Sequence, residues 1–237
     1  TALLMFVLVA AAGFLMRSIQ WVDIAPVKFH DLRNAHSHLA FLGWLFPVIM
    51  LLLERAYNTE NATSYMDKIV FWAVIVVNLL MFYSFLQFGY GPPSVVLLSI
   101  HTILAVVYGV RFLNRLDEVK AKVNPLLAKL SMATMMVSFL GPLGIPVIKN
   151  LGFGPTEMKL AIHFYLHFQY NGFFVLAVLA LMFKYNSNRQ YIGAPTVLFT
   201  VGMVGTYLLT VQWGVSDNLG MVGDVFGVIQ LIGGLWL

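Results

Sequence analysis

The chain has 237 residues, 60% of them hydrophobic, 14% aromatic and only 10% charged, with a mean hydropathy of +0.84. A soluble domain carries about 25% charged residues, so this composition excludes a water-soluble fold, and the absence of cysteine excludes a disulfide scaffold, thiol catalysis and thiolate metal sites. The formal charge of +4 then reads as basic loops on one side of a membrane, with no nucleic-acid surface.

Cut at its charged and proline- or glycine-rich breaks, the chain predicts an all-α polytopic bundle in the lipid bilayer, one transmembrane domain over 1–237 with seven to eight spans. They fall near 2–17, 34–54, 69–90, 93–113, 126–147, 158–183, 194–213 and 224–237. Gly91-Pro92-Pro93 marks a tight turn, because proline suits a first helical turn and not an interior. Arg111 to Asn124, Gly152 to Pro155 and Tyr185 to Arg189 read as loops. Pro142 and Pro146, with Gly141 and Gly144, break the fifth helix. The last segment is short for a span and the chain opens on Thr1, the pattern of a sequence clipped at both ends; no cleaved signal peptide is expected. No internal repeat of convincing length is expected.

Nine lysines and arginines lie in or beside the loops after the second, fourth and sixth spans, and five in the alternate loops. That bias places the N-terminus in the cytoplasm and the His30–Asn34 loop outside. Asn61-Ala62-Thr63 matches a glycosylation pattern but falls on the inner side, so it reads as chance.

Five of the six histidines lie in or at the edge of spans: His36, His38, His101, His163 and His167. At 1.5 Å per residue, His36 and His38 sit roughly 3–6 Å below the outer end of their span, His163 and His167 roughly 8–14 Å, and His101 roughly 12 Å. All five therefore belong to the outer half of the membrane, where ionisable groups are costly and mark function. His163 and His167 are one turn apart on one face, a spacing that suits a shared metal. His36 and His38, two residues apart, project about 200° from each other and suit two different partners. The alternative is that these side chains only bond neighbouring helices.

His36-Ser37-His38-Leu39-Ala40-Phe41-Leu42-Gly43-Trp44 resembles the H-x-H-x-x-x-x-G-W helix in the catalytic subunit (subunit I) of heme-copper oxygen reductases, most closely the cbb3 type. The resemblance implies that His36 and His38 are axial ligands of two hemes on opposite helix faces and that Trp44 packs. Arg33, one turn earlier, would meet heme propionates. It covers nine residues. In that superfamily the helix follows the copper-binding histidines, whereas here it is the second span, and the copper helix's His-His pair is missing. A full six-histidine core would need His30, which falls in a loop. The implied relative is therefore a small subunit I-like protein that does not pump protons.

The residues themselves permit two centres. One is heme b, held by axial histidines from two helices amid aromatics and methionines such as Phe164, Phe168, Phe173, Phe174, Met135 and Met136. The other is a three-histidine metal, with His163 and His167 joined by His101 or His38. Copper, non-heme iron and zinc all accept such ligands. The zinc version resembles membrane hydrolases of the ceramidase and adiponectin-receptor type, which act on lipids. Those need an intramembrane carboxylate, and here all ten acids fall in loops or at helix ends, Glu54 and Asp224 nearest the membrane. Gln169 and Asn171, like Asn78, Gln87 and Tyr83, read as bonds to neighbouring helices. The expected function is electron transfer or small-gas (oxygen or nitric oxide) redox chemistry by a histidine-bound heme or metal. An oxidoreductase of this kind works in a respiratory-type complex with other membrane subunits or an electron-donor protein. The alternatives are the zinc hydrolase and a non-catalytic structural subunit.

Overall fold

Apolar runs long enough to cross hydrocarbon must bond their own backbone, and helices do so within each segment. The computed structural model, which describes residues 1–19, 21, 28–57, 64–118, 125–185 and 193–237, contains eight continuous helical stretches and no strand among them. These are α1 (Ala2–Ser18), α2 (Phe29–Tyr57), α3 (Tyr65–Phe88), α4 (Pro92–Glu118), α5 (Leu126–Asn150), α6 (Pro155–Tyr185), α7 (Gly193–Val215) and α8 (Asn218–Trp236). Seven are long and apolar enough to span a membrane; α1, at 17 residues, is shorter. The chain is an integral membrane protein of the all-α class.

Local chemistry sets the ends. Ser64 caps α3 by accepting from the Met66 N–H, while Asp67 accepts from the Ser64 N–H, a reciprocal cap that contributes about 1 kcal/mol. α3 stops at Gly89, whose φ of +53° suits glycine, and α4 restarts at Pro92. α5 is interrupted at Phe139, between Leu126–Ser138 and Leu140–Asn150. Pro142 lacks the N–H that would bond Ser138 and its ring crowds that carbonyl.

Three expectations shift. α2 begins at Phe29, so His30 lies in a helical first turn, where Asp31 complements the positive helix end. α4 runs on through the polar residues from Arg111 to Glu118. α8 begins at Asn218, which puts Asp224 inside a span and not at its start; the charge marked no boundary. The remaining expected loop residues 119–124 and 186–189, and Asn61-Ala62-Thr63, lie outside the described residues.

Contacts divide the helices into two compact units, Thr1–Tyr108 and Gly109–Leu237. The two repeat one plan that the sequence does not advertise. Phe29 and Pro155, Tyr65 and Gly193, Pro92 and Asn218 open corresponding helices at nearly constant spacing. Both α2 and α6 also carry a π-helical stretch immediately after a histidine: Leu39–Leu45 after His38, and Phe168–Phe174 after His167. Each holds a glycine at the same offset, followed by an aromatic residue (Gly43-Trp44, Gly172-Phe173). A Cβ on Gly43 would press on Leu39, Met5 and Asn78, and one on Gly172 on Thr134.

In the first unit, Met5, Val9, Leu39 and Ile75 form one buried cluster with Trp44 packed on it, and Ala35, Leu42, Met81 and Phe85 another. In the second, α7 and α8 meet through glycines. A Cβ on Gly202 would strike the Gln230 backbone and one on Gly205 the Phe226 ring. Without a hydrophobic drive between helices in lipid, such close packing is the adhesive. Gly205→Val should therefore destabilise the second unit by at least about 1–3 kcal/mol, the usual overpacking cost. Denaturant titration of the detergent-solubilised chain checks this, with Gly193→Ala, which meets open space, as the neutral control.

Candidate functional site

A neutral imidazole has one N–H and one lone pair, so its partners reveal which nitrogen is free. In the first unit, the His36 Nδ1–H donates to the Val9 carbonyl of α1 at 3.1 Å. α1 comes close there because residue 13 is glycine: a Cβ would lie 3.1 Å from His36 Cε1. The His36 Nε2 lone pair has no hydrogen-bond partner among the described residues. The His38 Nδ1–H donates to the Asn34 carbonyl at 2.8 Å, and its Nε2 lone pair accepts from the Tyr90 hydroxyl at 3.3 Å. The His38 ring stacks on Phe85 at 4.4 Å and meets Tyr90 edge-on at 5.7 Å. Desolvation holds the Tyr90 phenol above its ordinary pKa, against the pull of the Arg33 charge, so it keeps its proton and donates.

His36 thus faces α1, and His38 faces α3 and the Gly89–Gly91 turn. Both have the tautomer of a metal-ligating histidine, with Nδ1–H on a backbone carbonyl and the lone pair on Nε2, open in His36 and covered by Tyr90 in His38. Arg33 is exposed in the same helix. His30 and Asp31 lie beside each other at 3.3 Å near its start, and Asn34 Nδ2 donates to His30 Nδ1.

His101 is set the other way. Asn78 Nδ2 donates to the Val74 carbonyl at 2.7 Å and to His101 Nδ1 at 3.1 Å, which leaves the proton on His101 Nε2. That nitrogen and Asn78 Oδ1 are buried without a partner, although the two residues are only 1% and 0% exposed. Phe46 stands edge-on to His101 at 5.3 Å.

In the second unit, the His167 Nε2–H donates to the Met203 carbonyl at 2.7 Å, and its Nδ1 accepts from Asn171 Nδ2 at 3.3 Å. Both nitrogens are occupied, so His167 is a helix-to-helix tie. His163 touches the Trp213 ring at 5.5 Å and has no hydrogen-bond partner among the described residues. Gln169 Oε1 accepts from Ser138 at 2.8 Å, while its Nε2 is buried without a partner. Thr206, which corresponds to Asn78, donates to Gln230 Oε1 at 3.2 Å.

The five expected histidines therefore serve different neighbours, and none bonds another. Among the described residues, no three histidine, aspartate or glutamate side chains gather where one ion could be held. Of the pair expected to share a metal, His167 has both nitrogens bonded, to the Met203 carbonyl and to Asn171. Tyr90 is the member that sequence reasoning missed; its place between two glycines in a turn was the available signal. No family model, curated protein or solved structure matches this chain.

The hydrogen bonding predicts a reactivity order. Diethyl pyrocarbonate attacks a free imidazole lone pair, so Tyr90→Phe should speed carbethoxylation of His38 roughly fivefold, the loss of one net hydrogen bond of about 1 kcal/mol. His167 should stay slow in both proteins. Peptide mass spectrometry over a time course reads both rates.

Proposed function

We propose that this chain is a membrane heme protein of the electron-transfer or small-gas redox class, with His36 and His38 as axial ligands. The observation that carries the reading is the shared tautomer: two imidazoles on different sides of α2, each with Nδ1–H tied to a carbonyl and Nε2 available. A carbonyl-bound Nδ1–H orients a ligating ring and raises its basicity, and separate faces fit two groups better than one. Phe85, Tyr90, Phe6 and Trp44 supply aromatic surface on both sides, with Phe6 and Trp44 at 4.9 Å. Exposed Arg33 is free to meet carboxylate substituents such as propionates. Tyr90 would have to yield its bond to His38 for that nitrogen to coordinate. Heme b would supply one-electron chemistry, its potential tuned by these ligands and their burial. Other membrane subunits or a donor protein would deliver the electrons.

Copper or non-heme iron would accept the same nitrogens. A structural role is favoured for His167, whose Nε2–H is donated to the Met203 carbonyl.

The test is the dithionite-reduced minus oxidised spectrum and pyridine hemochrome of chain purified from heme-replete cells. A b-type spectrum is expected, with stoichiometry falling about tenfold or more in His36→Ala or His38→Ala, as for loss of a metal ligand or its support. His167→Gln should keep it. Absence of heme from every preparation, or a spectrum indifferent to both His36→Ala and His38→Ala, would overturn the reading.

A further inference from the structure

We infer that two copies of this chain pair within the bilayer through α6, α7 and α8, Asp224 of each copy meeting His163 of the other. The starting point is an unanswered carboxylate. Asp224 is exposed on α8 amid Met221, Val225 and Val228, all more than half exposed, and it has no hydrogen bond or ion pair among the described residues. The glycine side of α8, through Gly223 and Gly233, is pressed on α7. In lipid an acidic side chain facing outward is costly unless something pairs it.

The missing partner stands at the same depth on the same unit. Gly223 packs on Leu209, while further along α7 Gly214 packs on Thr156 and Leu160 and Tyr207 donates to the Leu160 carbonyl. Following α7 between these contacts places Asp224 level with His163, whose ring lies against Trp213 of α7. His163 also lacks a hydrogen-bond partner. α6 and α8 flank α7, so within one copy the imidazole and the carboxylate are held apart by the helix between them.

A two-fold axis along the membrane normal keeps every residue at its depth and reverses the order of helices across the interface. It sets α8 of one copy against α6 of the other, twice, and matches acid to imidazole at both places. The pair shares one proton whichever side holds it.

The chain has no cysteine, so Gly193→Cys, at a position that meets open space, creates a single thiol for donor and acceptor labels. In vesicles of defined lipid-to-protein ratio, energy transfer between labelled copies should report a dimer. Asp224→Asn and His163→Gln, introduced singly, should each weaken association roughly five- to tenfold, as interhelical polar pairs do. The exchanged variant carrying His163→Asp and Asp224→His should recover most of it, which separates lost pairing from lost folding. A monomer at every density, a dimer insensitive to both substitutions, or association only with a different membrane protein would overturn the inference. None of these readouts depends on bound heme.

Discussion

Inside a bilayer, a hydrogen-bonding group that the protein does not answer is not answered at all. That constraint sorts every polar side chain here into those tied to a neighbouring helix and those left open. Ser84 and Ser94 bond each other at 2.9 Å, Tyr108 reaches the Met50 carbonyl, and His167 joins α6 to α7. Against that background, the open atoms stand out: His36 Nε2, His101 Nε2 with Asn78 Oδ1, and the Asp224 carboxylate. A buried group without a partner costs about 1–3 kcal/mol, enough to make the His101 and Asn78 pair informative.

The repeated plan sharpens the contrast. His38 and His167 precede the same π-helical turn, yet one has its Nε2 covered by a tyrosine from a turn and the other donates from Nε2 to a backbone carbonyl. Asn78 and His101 leave two atoms unmet, whereas Thr206, at the place of Asn78, bonds Gln230. A shared scaffold with different polar residues can thus hold an addressable site in one unit and a tie in the other. The shared part is backbone geometry and glycine placement; the difference is a handful of side chains.

Membrane residence, helical class and most breaks were legible because hydropathy and proline act locally. Gly91-Pro92-Pro93 turned where its chemistry requires. Asp224 misled because a single charge was read as a boundary, although three residues before it, Met221, Val222 and Gly223, were already apolar. The histidines were legible as members of long apolar helices but not in direction. Which way an imidazole points depends on a carbonyl supplied by another helix, Val9 for His36 and Met203 for His167, and no spacing rule within one helix contains that. The repeat escaped notice because it is carried by helix starts and by two glycines, with little side-chain identity.

The π-helical stretches have a consequence for how this protein can vary. Such a turn is an α-helix with one residue in excess, and one residue is about 100° of rotation. In α2 it sets the phase between the end bearing His36 and His38 and the end from Phe46 to Tyr57. Deleting one residue within Leu39–Leu45 would restore regular winding and swing both imidazoles away from Val9 and Tyr90 together. The angular position of the histidines is therefore stored in the length of the chain beside them, where no substitution can reset it.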